Sequence, residues 1–319
     1  MAIKHSIIMI CYNQEQYIRQ ALDSVLCEQI KPYEIIIGDD FSTDGTRKIL
    51  REYKDQYPEI IKLILNEKNI GIFANLNNVV PKATGDLMHF LSGDDWYKPN
   101  FLANIEKIVV ELDIKSRNSK FLILPNTVIH RIDGSERIQR NDYNSLAKFT
   151  PVGAVLRDKL FTRHTGISKA LFENYPIFPE DSEDIGPWAD FAHHIMFMQH
   201  CDKLIVMDCE GPVYRTDVGI ASRTGREELA RSLHRAHQSL ESKHIEGELR
   251  LTELDARYLN FLIACGNARL AISFPAFSQL IKSAFRVIKL DASDAGMIAK
   301  KLLKTFRGII GQRKYRFSC

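Results

Sequence analysis

The chain has 319 residues, of which 45% are hydrophobic and 26% are charged. This length suits one or two domains of about 100–200 residues each, and the composition excludes disordered, collagen-like and coiled-coil proteins. The formal net charge of +3 hides an uneven distribution. Residues 1–217 carry 25 basic and 31 acidic side chains, whereas residues 218–319 carry 18 and 9. An acidic body followed by a basic C-terminal part indicates two regions with different partners.

The six cysteines include no Cys-x-x-Cys pair, so zinc ribbons and thioredoxin-type redox motifs have no support. We expect free thiols in a reducing compartment. The N-terminus lacks a signal-peptide layout, and no window approaches the roughly 18 apolar residues of a membrane span. These features predict a cytoplasmic chain.

The first hundred residues alternate buried strands with amphipathic helices. The apolar patterns predict strands at residues 6–11, 34–38, 61–66 and 87–91, and helices at residues 16–28, 43–53 and 74–83. A strand–helix unit about every 30 residues predicts an α/β fold with parallel strands and right-handed crossovers. Ligands bind at the carboxyl ends of such strands. Polar clusters follow three of these ends: Tyr12-Asn13, Asp39-Asp40 and Gly93-Asp94-Asp95.

Later segments are less regular. The pattern predicts helices at residues 101–112 and 190–200, strands at residues 121–125, 160–168 and 204–207, and a loop-rich stretch at residues 131–149. From residue 226 it is helical, with interruptions near residues 273–275 and 291–296. We therefore expect a first domain of residues 1–222, with halves at about 1–100 and 101–222, and a helical C-terminal region of residues 223–319.

Asp39 stands where the second strand leaves the sheet. A carboxylate there can accept hydrogen bonds from a nucleobase or from a ribose hydroxyl. Ser42 and Thr43 suit the N-cap of the following helix, so a helix cap with solvated acids explains the same residues equally well.

Asp94 and Asp95 follow a buried strand and a glycine. Two adjacent carboxylates make chemical sense around a hard divalent cation, because Mg²⁺ or Mn²⁺ takes one or two protein carboxylates and completes its shell with water and phosphates. A double aspartate on a surface turn is common, however, and is the alternative interpretation.

Asp190 lies at the start of a predicted helix between Trp188 and Phe191. Flanking rings would partly desolvate this carboxylate, raise its pKa and suit it to be a general base. The alternative is a first-turn acid that the helix dipole favours. Asp184, in the acidic run of residues 180–184, competes for the same role. The chain contains neither a Gly-x-Gly-x-x-Gly motif nor a P-loop.

Taken in order, these segments resemble the pattern of glycosyltransferase family 2, whose members are inverting nucleotide-sugar transferases with a GT-A fold. The first match covers residues 6–102. Its parts are the strand ending in Tyr12-Asn13, the turn Asp39-Asp40-Phe-Ser-Thr-Asp-Gly-Thr46, Asn69-Ile-Gly71 with Asn77, and the strand and turn of residues 85–99. Further on, Ala189-Asp190-Phe191 and Tyr214-Arg215 resemble the family's base-bearing helix and its Tyr-Arg-x-His segment, so the resemblance reaches about residue 222.

The resemblance implies a role for each matching position. Tyr12 would stack on the nucleobase, and Asp39 would hold the base or its ribose. Asp94 and Asp95 would bind a Mn or Mg ion that neutralises the diphosphate, and Asp190 would deprotonate the acceptor hydroxyl. The remaining matches are nucleotide-binding candidates (Asn69, Gly71 and Asn77) and further site candidates (Asn13, Asp40 and Arg215).

Two positions depart from the family pattern. Ser92 replaces the first acid of the usual Asp-x-Asp, so metal binding falls more heavily on Asp94. Asp217 stands where a histidine often follows the Tyr-Arg pair, which puts a metal or phosphate contact there in doubt.

Residues 297–319 form a basic amphipathic segment with seven basic residues and no acid. Such a segment suits the surface of an anionic bilayer; the alternative is a helix packed on the body with its lysines in water. Nucleic acid is not expected as a partner, because no base-stacking module accompanies the charge.

The sequence therefore predicts a metal-dependent glycosyltransferase. It would move a sugar from a nucleotide-sugar donor to a saccharide or lipid-linked saccharide acceptor, in bacterial cell-surface polysaccharide or glycolipid assembly and peripherally on the inner face of the membrane. Two alternatives stay open. One is a nucleotide-sugar-binding subunit that has lost catalysis. The other is a sugar-nucleotide pyrophosphorylase, whose glycine-rich N-terminal signature is missing here.

Overall fold

The computed structural model describes residues 3–112, 119–163, 165–172, 178, 182–271 and 274–316. The strands are β1 (His5–Cys11), β2 (Glu34–Asp39), β3 (Ile61–Leu65), β4 (Leu87–Ser92), β5 (Trp96–Tyr97), β6 (Phe121–His130), β7 (Glu136–Gln139), β8 (Gly166–Ser168) and β9 (Lys203–Arg215). The helices are α1 (Ile18–Leu26), α2 (Thr46–Gln56), α3 (Ile72–Val79), α4 (Phe101–Glu111), α5 (Pro151–Leu156), α6 (Lys169–Phe172), α7 (Ser182–Ile185), α8 (Ala189–Met198), α9 (Ile220–Arg223), α10 (Arg226–Ile245), α11 (Glu253–Ala271), α12 (Phe274–Leu290) and α13 (Ala295–Arg316).

The N-terminal half of the sheet is parallel, as predicted. Its strand order is β3-β2-β1-β4, and the apolar runs of β1 and β2 are buried because helices cover both faces of such a sheet. The register aligns the carboxyl ends: Cys11 lies opposite Asp39 of β2, and Ile10 lies opposite Ser92 of β4. The predicted polar clusters are thus brought to one edge of the sheet.

The second half of the sheet departs from the sequence prediction. β8 is a short strand, antiparallel to β4 and β6, whereas β6 and β9 pair in parallel and are longer than expected. β7 lies inside the stretch predicted to be loop-rich. Among the described strands it pairs with β6, and it carries mostly polar residues, so it gives no apolar signal.

The chain divides into two compact units. The sheet unit comprises residues 1–144, 160–183 and 200–223. The helical unit comprises residues 145–159, 184–199 and 224–319. The break after residue 223 lies beside the boundary expected at residue 222, but α5 and α8 belong to the helical unit, because they pack against α11 and α10 respectively. The functional division at residue 222 stays a prediction.

Within the helical unit, α11 is the central element and packs against α10, α12 and α13. No helix in the described part of the chain is long and apolar enough to cross a membrane. The five cysteines among the described residues are free thiols, as expected, and Cys319 lies outside those residues.

Candidate active site

The ends of β1 and β2 are tied together through Asn13. Its backbone N–H donates to Ser42 Oγ at 2.9 Å, and its side-chain Oδ1 accepts from the Thr43 N–H at 2.8 Å. Asn13 has a positive φ of 53°, which asparagine tolerates better than most residues. The first two predicted clusters therefore form one surface at the carboxyl edge of the sheet.

Asp39 is fully buried and already has strong partners. Its Oδ1 accepts from the Ser42 N–H at 3.1 Å and forms an ion pair with Arg47 Nε. Arg47 also donates to the Asn66 carbonyl. Arg47 was not among the residues predicted from the sequence. A local signal for it exists, because Arg47 is the second residue of α2 and follows an acidic turn. The role of Asp39 toward a base or ribose stays a prediction.

Two aromatic side chains are exposed beside this surface. Tyr12 and Phe41 each keep 41% of their area in solvent, and the Arg47 guanidinium lies 5.2 Å from the centre of the Phe41 ring. Tyr12 was predicted from the sequence to be a stacking residue, whereas Phe41 was not. Exposed rings at the end of a parallel sheet suit stacking on a planar base.

Asp40 is buried and holds the loop before α3. Its Oδ1 accepts from Asn66 Nδ2 at 3.1 Å and from the Ile70 N–H at 2.8 Å, while its Oδ2 accepts from the Gly71 N–H at 3.0 Å. Gly71 has a φ of 89°, which only glycine adopts readily. Asp40 thus serves as an anchor for the loop that carries Asn69.

Asn69 and Asn77 make contacts with the protein backbone. Asn69 Oδ1 accepts from the Gly71 N–H at 3.2 Å. Asn77 donates to the Phe178 carbonyl at 3.1 Å and accepts from the Phe178 N–H at 2.9 Å. The predicted contacts of Asn69, Gly71 and Asn77 with a nucleotide stay predictions.

Asp94 and Asp95 are the carboxylates at the end of β4, and 5% and 4% of their areas are exposed. Burial, and next the negative charge of Asp95, raise the pKa of Asp94 above its ordinary value, although a hydrogen bond from Ser92 acts in the opposite direction. A nearby cation would offset the cost of burying these charges. Ser92 thus has a defined role beside Asp94, although it cannot supply a charge.

Arg215, the last residue of β9, contacts the turn that carries Asp94 and Asp95. Its backbone N–H donates to Asp95 Oδ1 at 2.8 Å, and its Nε donates to the Asp94 carbonyl at 3.0 Å. The guanidinium carbon lies 4.7 Å from the Tyr17 ring centre and 4.5 Å from the Trp96 ring centre, an arrangement that adds cation–π attraction. Arg215 therefore holds the carboxylate of Asp95 and the backbone of Asp94.

The segment after β9 borders the same edge. An ideal Cβ placed on Gly219 would lie 3.2 Å from Asp94 Oδ2, so a glycine leaves room beside that oxygen. Asp217, with a φ of 68°, accepts a hydrogen bond from Thr216 Oγ1 at 2.8 Å. It lines a cavity of about 580 Å³ together with Asn13, Glu15, Asp44 and Arg223, among others. The carboxylates of Glu15, Asp44 and Asp217 outnumber the guanidinium of Arg223, so the lining carries a net negative charge.

The two candidate bases belong to the helical unit. Asp190 lies in the first turn of α8, as predicted, and its Oδ1 accepts from the Phe191 N–H at 2.7 Å. Asp190 is exposed, so the expected desolvation by flanking rings is wrong in this structure. Asp184, in α7, is exposed as well. The choice between these two carboxylates stays a prediction.

One comparison with known protein families matches the N-terminal half of the chain. Residues 6–164 match the family profile described as Glycosyl transferase family 2. This part of the chain belongs to glycosyltransferase family 2. The match includes the three strand ends and both metal candidates, and it ends before the segments that carry Asp190 and Arg215.

Curated relatives match over shorter stretches. An uncharacterized protein of Mycobacterium tuberculosis is 44% identical over 93 residues, which are 29% of this chain and 27% of that protein. The minor teichoic acid biosynthesis protein GgaA of Bacillus subtilis is 29% identical over 194 residues, which are 56% of this chain and 41% of that protein. The chain thus spans less than half the length of these relatives.

The solved structure of Staphylococcus aureus TarS, residues 1–349 in complex with UDP, matches with a TM-score of 0.60. The match covers 99% of this chain and 92% of that one at 16% identity. A second TarS structure, in complex with UDP-GlcNAc, gives a TM-score of 0.62. At this identity the likeness shows the fold, which is the predicted GT-A type.

Proposed function

We propose that this chain is an inverting glycosyltransferase that moves a sugar from a nucleoside-diphosphate sugar to an acceptor hydroxyl. The observation that carries the proposal is the match of residues 6–164 to glycosyltransferase family 2. The site adds chemical support, because Asp94 and Asp95 lie at the same carboxyl edge of the sheet as two exposed aromatic rings. The exposed rings would stack on a nucleobase, and the two carboxylates would hold a metal ion that binds the diphosphate.

The proposed reaction is a displacement at the anomeric carbon. Asp190 takes the proton of the acceptor hydroxyl, and the acceptor oxygen bonds to the anomeric carbon on the face opposite the leaving group. The bond from that carbon to the phosphate oxygen breaks, and a nucleoside diphosphate leaves with the bonding electrons. A positioned base contributes typically about 10²–10⁴-fold to such a step. The exposure of Asp190 suits a group that must meet an incoming acceptor.

The two carboxylates at the end of β4 fit a Mn or Mg ion. Asp94 and Asp95 are oxygen ligands, and the raised pKa of Asp94 marks a buried charge that a cation would stabilise. No group of three or more metal-ligating side chains occurs among residues that the structure describes, so water and donor phosphates would complete the shell. When bound, the ion would supply Lewis-acid stabilisation of the departing diphosphate.

The named relatives support a class of substrates. TarS binds UDP and UDP-GlcNAc, and GgaA is a protein of minor teichoic acid biosynthesis. We therefore extend the proposal to a nucleotide-sugar donor and to a saccharide or lipid-linked saccharide acceptor of a bacterial cell-surface polymer.

Release of nucleoside diphosphate tests the proposal. The purified chain is incubated with each of a panel of nucleotide sugars, Mn²⁺ and candidate saccharide acceptors. We expect one donor to give diphosphate release and a glycosylated product, and excess EDTA to abolish both. Thermal stabilisation by a donor without any release would favour a binding subunit. Formation of a nucleotide sugar from a nucleoside triphosphate and a sugar phosphate would favour a pyrophosphorylase.

Exchange of the candidate base tests the mechanism. We expect Asp190→Asn to lower turnover at least about 100-fold and to leave the donor dissociation constant within a few fold, because the substitution removes the proton acceptor alone. Asp55→Asn, at an exposed position of α2, is the matched control and should retain activity. Near-wild-type turnover of Asp190→Asn would contradict the assignment, and the same assay on Asp184→Asn and Glu183→Gln would then locate the base.

We also propose that residues 297–319 face an anionic membrane surface. The first part of α13 also packs within the helical unit. Ile298 is buried there, and Lys301 Nζ lies 2.6 Å from Asp158 Oδ2. The side chains of Lys300, Leu303, Lys304 and Arg307 are exposed, and these would meet the bilayer.

A further inference from the structure

Helix α12 has an outward face that is both apolar and basic. Ile281, Phe285 and Leu290 keep 38%, 68% and 42% of their areas in solvent. Three exposed cations lie among them, Lys282, Arg286 and Lys289. Because most of these positions recur every three or four residues, they share one side of the helix. We call these six residues the α12 face.

The α12 face is additional to the side of the helix that builds the core. Leu280, Ala284 and Val287 are buried, and α12 packs against α11. The helix therefore already has a core-facing stripe and carries a second apolar set outside it. Single exposed apolar residues are normal, but a contiguous group of them marks an interaction surface.

The positive charge of the α12 face indicates that its partner is negatively charged. Residues 274–290 contain no acidic residue. Within the described part of the chain, no ion pair involves Lys282, Arg286 or Lys289. A second copy of this chain would bring the same three cations against each other, which is unfavourable. A partner with many negative charges and an apolar layer beneath them satisfies both kinds of side chain.

We propose that the α12 face binds the surface of an anionic lipid bilayer. Phe285 and Ile281 enter the boundary between headgroups and acyl chains, and the three cations contact lipid phosphates. An amphipathic helix with aromatic and basic residues binds membranes in this way. This surface is separate in sequence from residues 297–319, and the proposal rests on the exposure and charge of α12.

Vesicle sedimentation tests the proposal with the full chain. Vesicles of phosphatidylcholine with about one-third phosphatidylglycerol provide the anionic surface, and pure phosphatidylcholine vesicles provide the neutral one. We expect the wild type to pellet with anionic vesicles and to be released as salt rises. Each basic residue near such a surface strengthens binding about fivefold, so Lys282→Gln/Arg286→Gln/Lys289→Gln should weaken binding at least about tenfold. Phe285→Ser should weaken it by a similar factor.

Two matched triple variants control for charge. Lys48→Gln/Arg51→Gln/Lys82→Gln removes three exposed cations of the sheet unit and should pellet nearly like the wild type. Lys300→Gln/Lys304→Gln/Arg307→Gln removes three exposed cations of α13. Circular dichroism and thermal unfolding check that each variant is folded, which we expect because the exchanged side chains are solvent-exposed.

Several results would overturn the proposal. They are a wild type that does not pellet with anionic vesicles, an α12 triple variant that pellets normally, and a loss confined to the α13 variant. A dimer in sedimentation equilibrium that Phe285→Ser dissociates would assign the face to a second copy. A single-stranded oligonucleotide that binds the α12 face more tightly than the vesicles do would assign it to nucleic acid.

Discussion

Asp94 is a buried carboxylate of the candidate site, and its pKa is shifted in the folded protein. Its pKa is raised by burial and then by the charge of Asp95, so the folded protein holds the Asp94 proton more tightly than the unfolded chain does. In the absence of metal, the contribution of this group to the free energy of unfolding is therefore largest at low pH. It is lost as pH rises from the ordinary value of 3.8 through the raised value.

We expect Asp94→Asn to be more stable than the wild type at pH 7 without metal, because asparagine keeps the volume and removes the buried charge. The difference should shrink as pH falls toward 3.8, because the raised pKa favours protonation of the folded carboxyl. Urea unfolding in EDTA at both pH values measures this. Mn²⁺ or Mg²⁺ should raise the melting temperature of the wild type and leave that of the variant unchanged.

Asp55→Asn is the control for this prediction, because Asp55 is exposed and surface substitutions usually change stability by no more than about 0.5 kcal/mol. A loss of stability of Asp94→Asn at pH 7 would contradict the account of the buried charge. Equal stabilisation of both proteins by Mn²⁺ would remove Asp94 from the metal site.

At the scale of elements, a buried polar network joins the end of β2, the loop between β3 and α3, and α3 itself. Asn75 donates to the Gly38 carbonyl at 3.0 Å and accepts from Asn66 Nδ2 at 3.1 Å, and Asn66 Nδ2 also donates to Asp40 at 3.1 Å. An ideal Cβ on Gly38 would lie 2.6 Å from Asn75 Oδ1. The glycine therefore permits the close approach of α3 to the strand, and Asp40 completes the network.

We expect Asp40→Asn to lower the free energy of unfolding by about 1–3 kcal/mol. Both oxygens of Asp40 accept from N–H donors, so an amide nitrogen in place of one oxygen would face a donor and leave a buried group without an acceptor. Urea denaturation measures the loss, with Asp55→Asn as the reference. Equal midpoints for the two variants would show that the network contributes no stability.

Local patterns predicted the parallel half of the sheet, because buried strands and amphipathic helices each leave a periodic apolar signal. β7 was missed, since an edge strand of polar residues leaves none. The carboxylates of the site were predictable from their position after strands. Arg47 had a local signal, because it follows the acidic turn closely in sequence. The contacts of Arg215 with the Asp94-Asp95 turn had none, because they depend on the three-dimensional approach of residues from distant elements.

At the scale of the whole molecule, the helical unit is assembled from distant parts of the chain around Arg157. The buried guanidinium pairs with Asp255 at 2.8 Å and with Asp294 at 2.9 Å, and it lies 4.3 Å from the Tyr258 ring centre. Thr150 donates to the second oxygen of Asp255 at 2.7 Å. These contacts join residues 98 and 137 positions apart, which explains why residues 145–159 belong to a unit that is otherwise C-terminal.

We expect Arg157→Met to destabilise the helical unit by about 3–5 kcal/mol, because it leaves two buried carboxylates without their cation. Arg157→Met/Asp255→Asn/Asp294→Asn should recover much of this loss, since the uncompensated charges are removed. Arg51→Met, at an exposed position, is the control.

The two tryptophans of the chain allow each unit to be followed separately. Trp96 lies in the sheet unit and Trp188 in the helical unit, so Trp96→Phe and Trp188→Phe backgrounds each leave one fluorescent reporter. Arg157→Met should shift the urea midpoint reported by Trp188 more than the one reported by Trp96, because every partner of Arg157 named above lies in the helical unit. An unchanged Trp188 midpoint would contradict a stabilising role for the network. Failure of the triple variant to recover stability would mean that the lost packing of the guanidinium, rather than the two unpaired carboxylates, causes the effect.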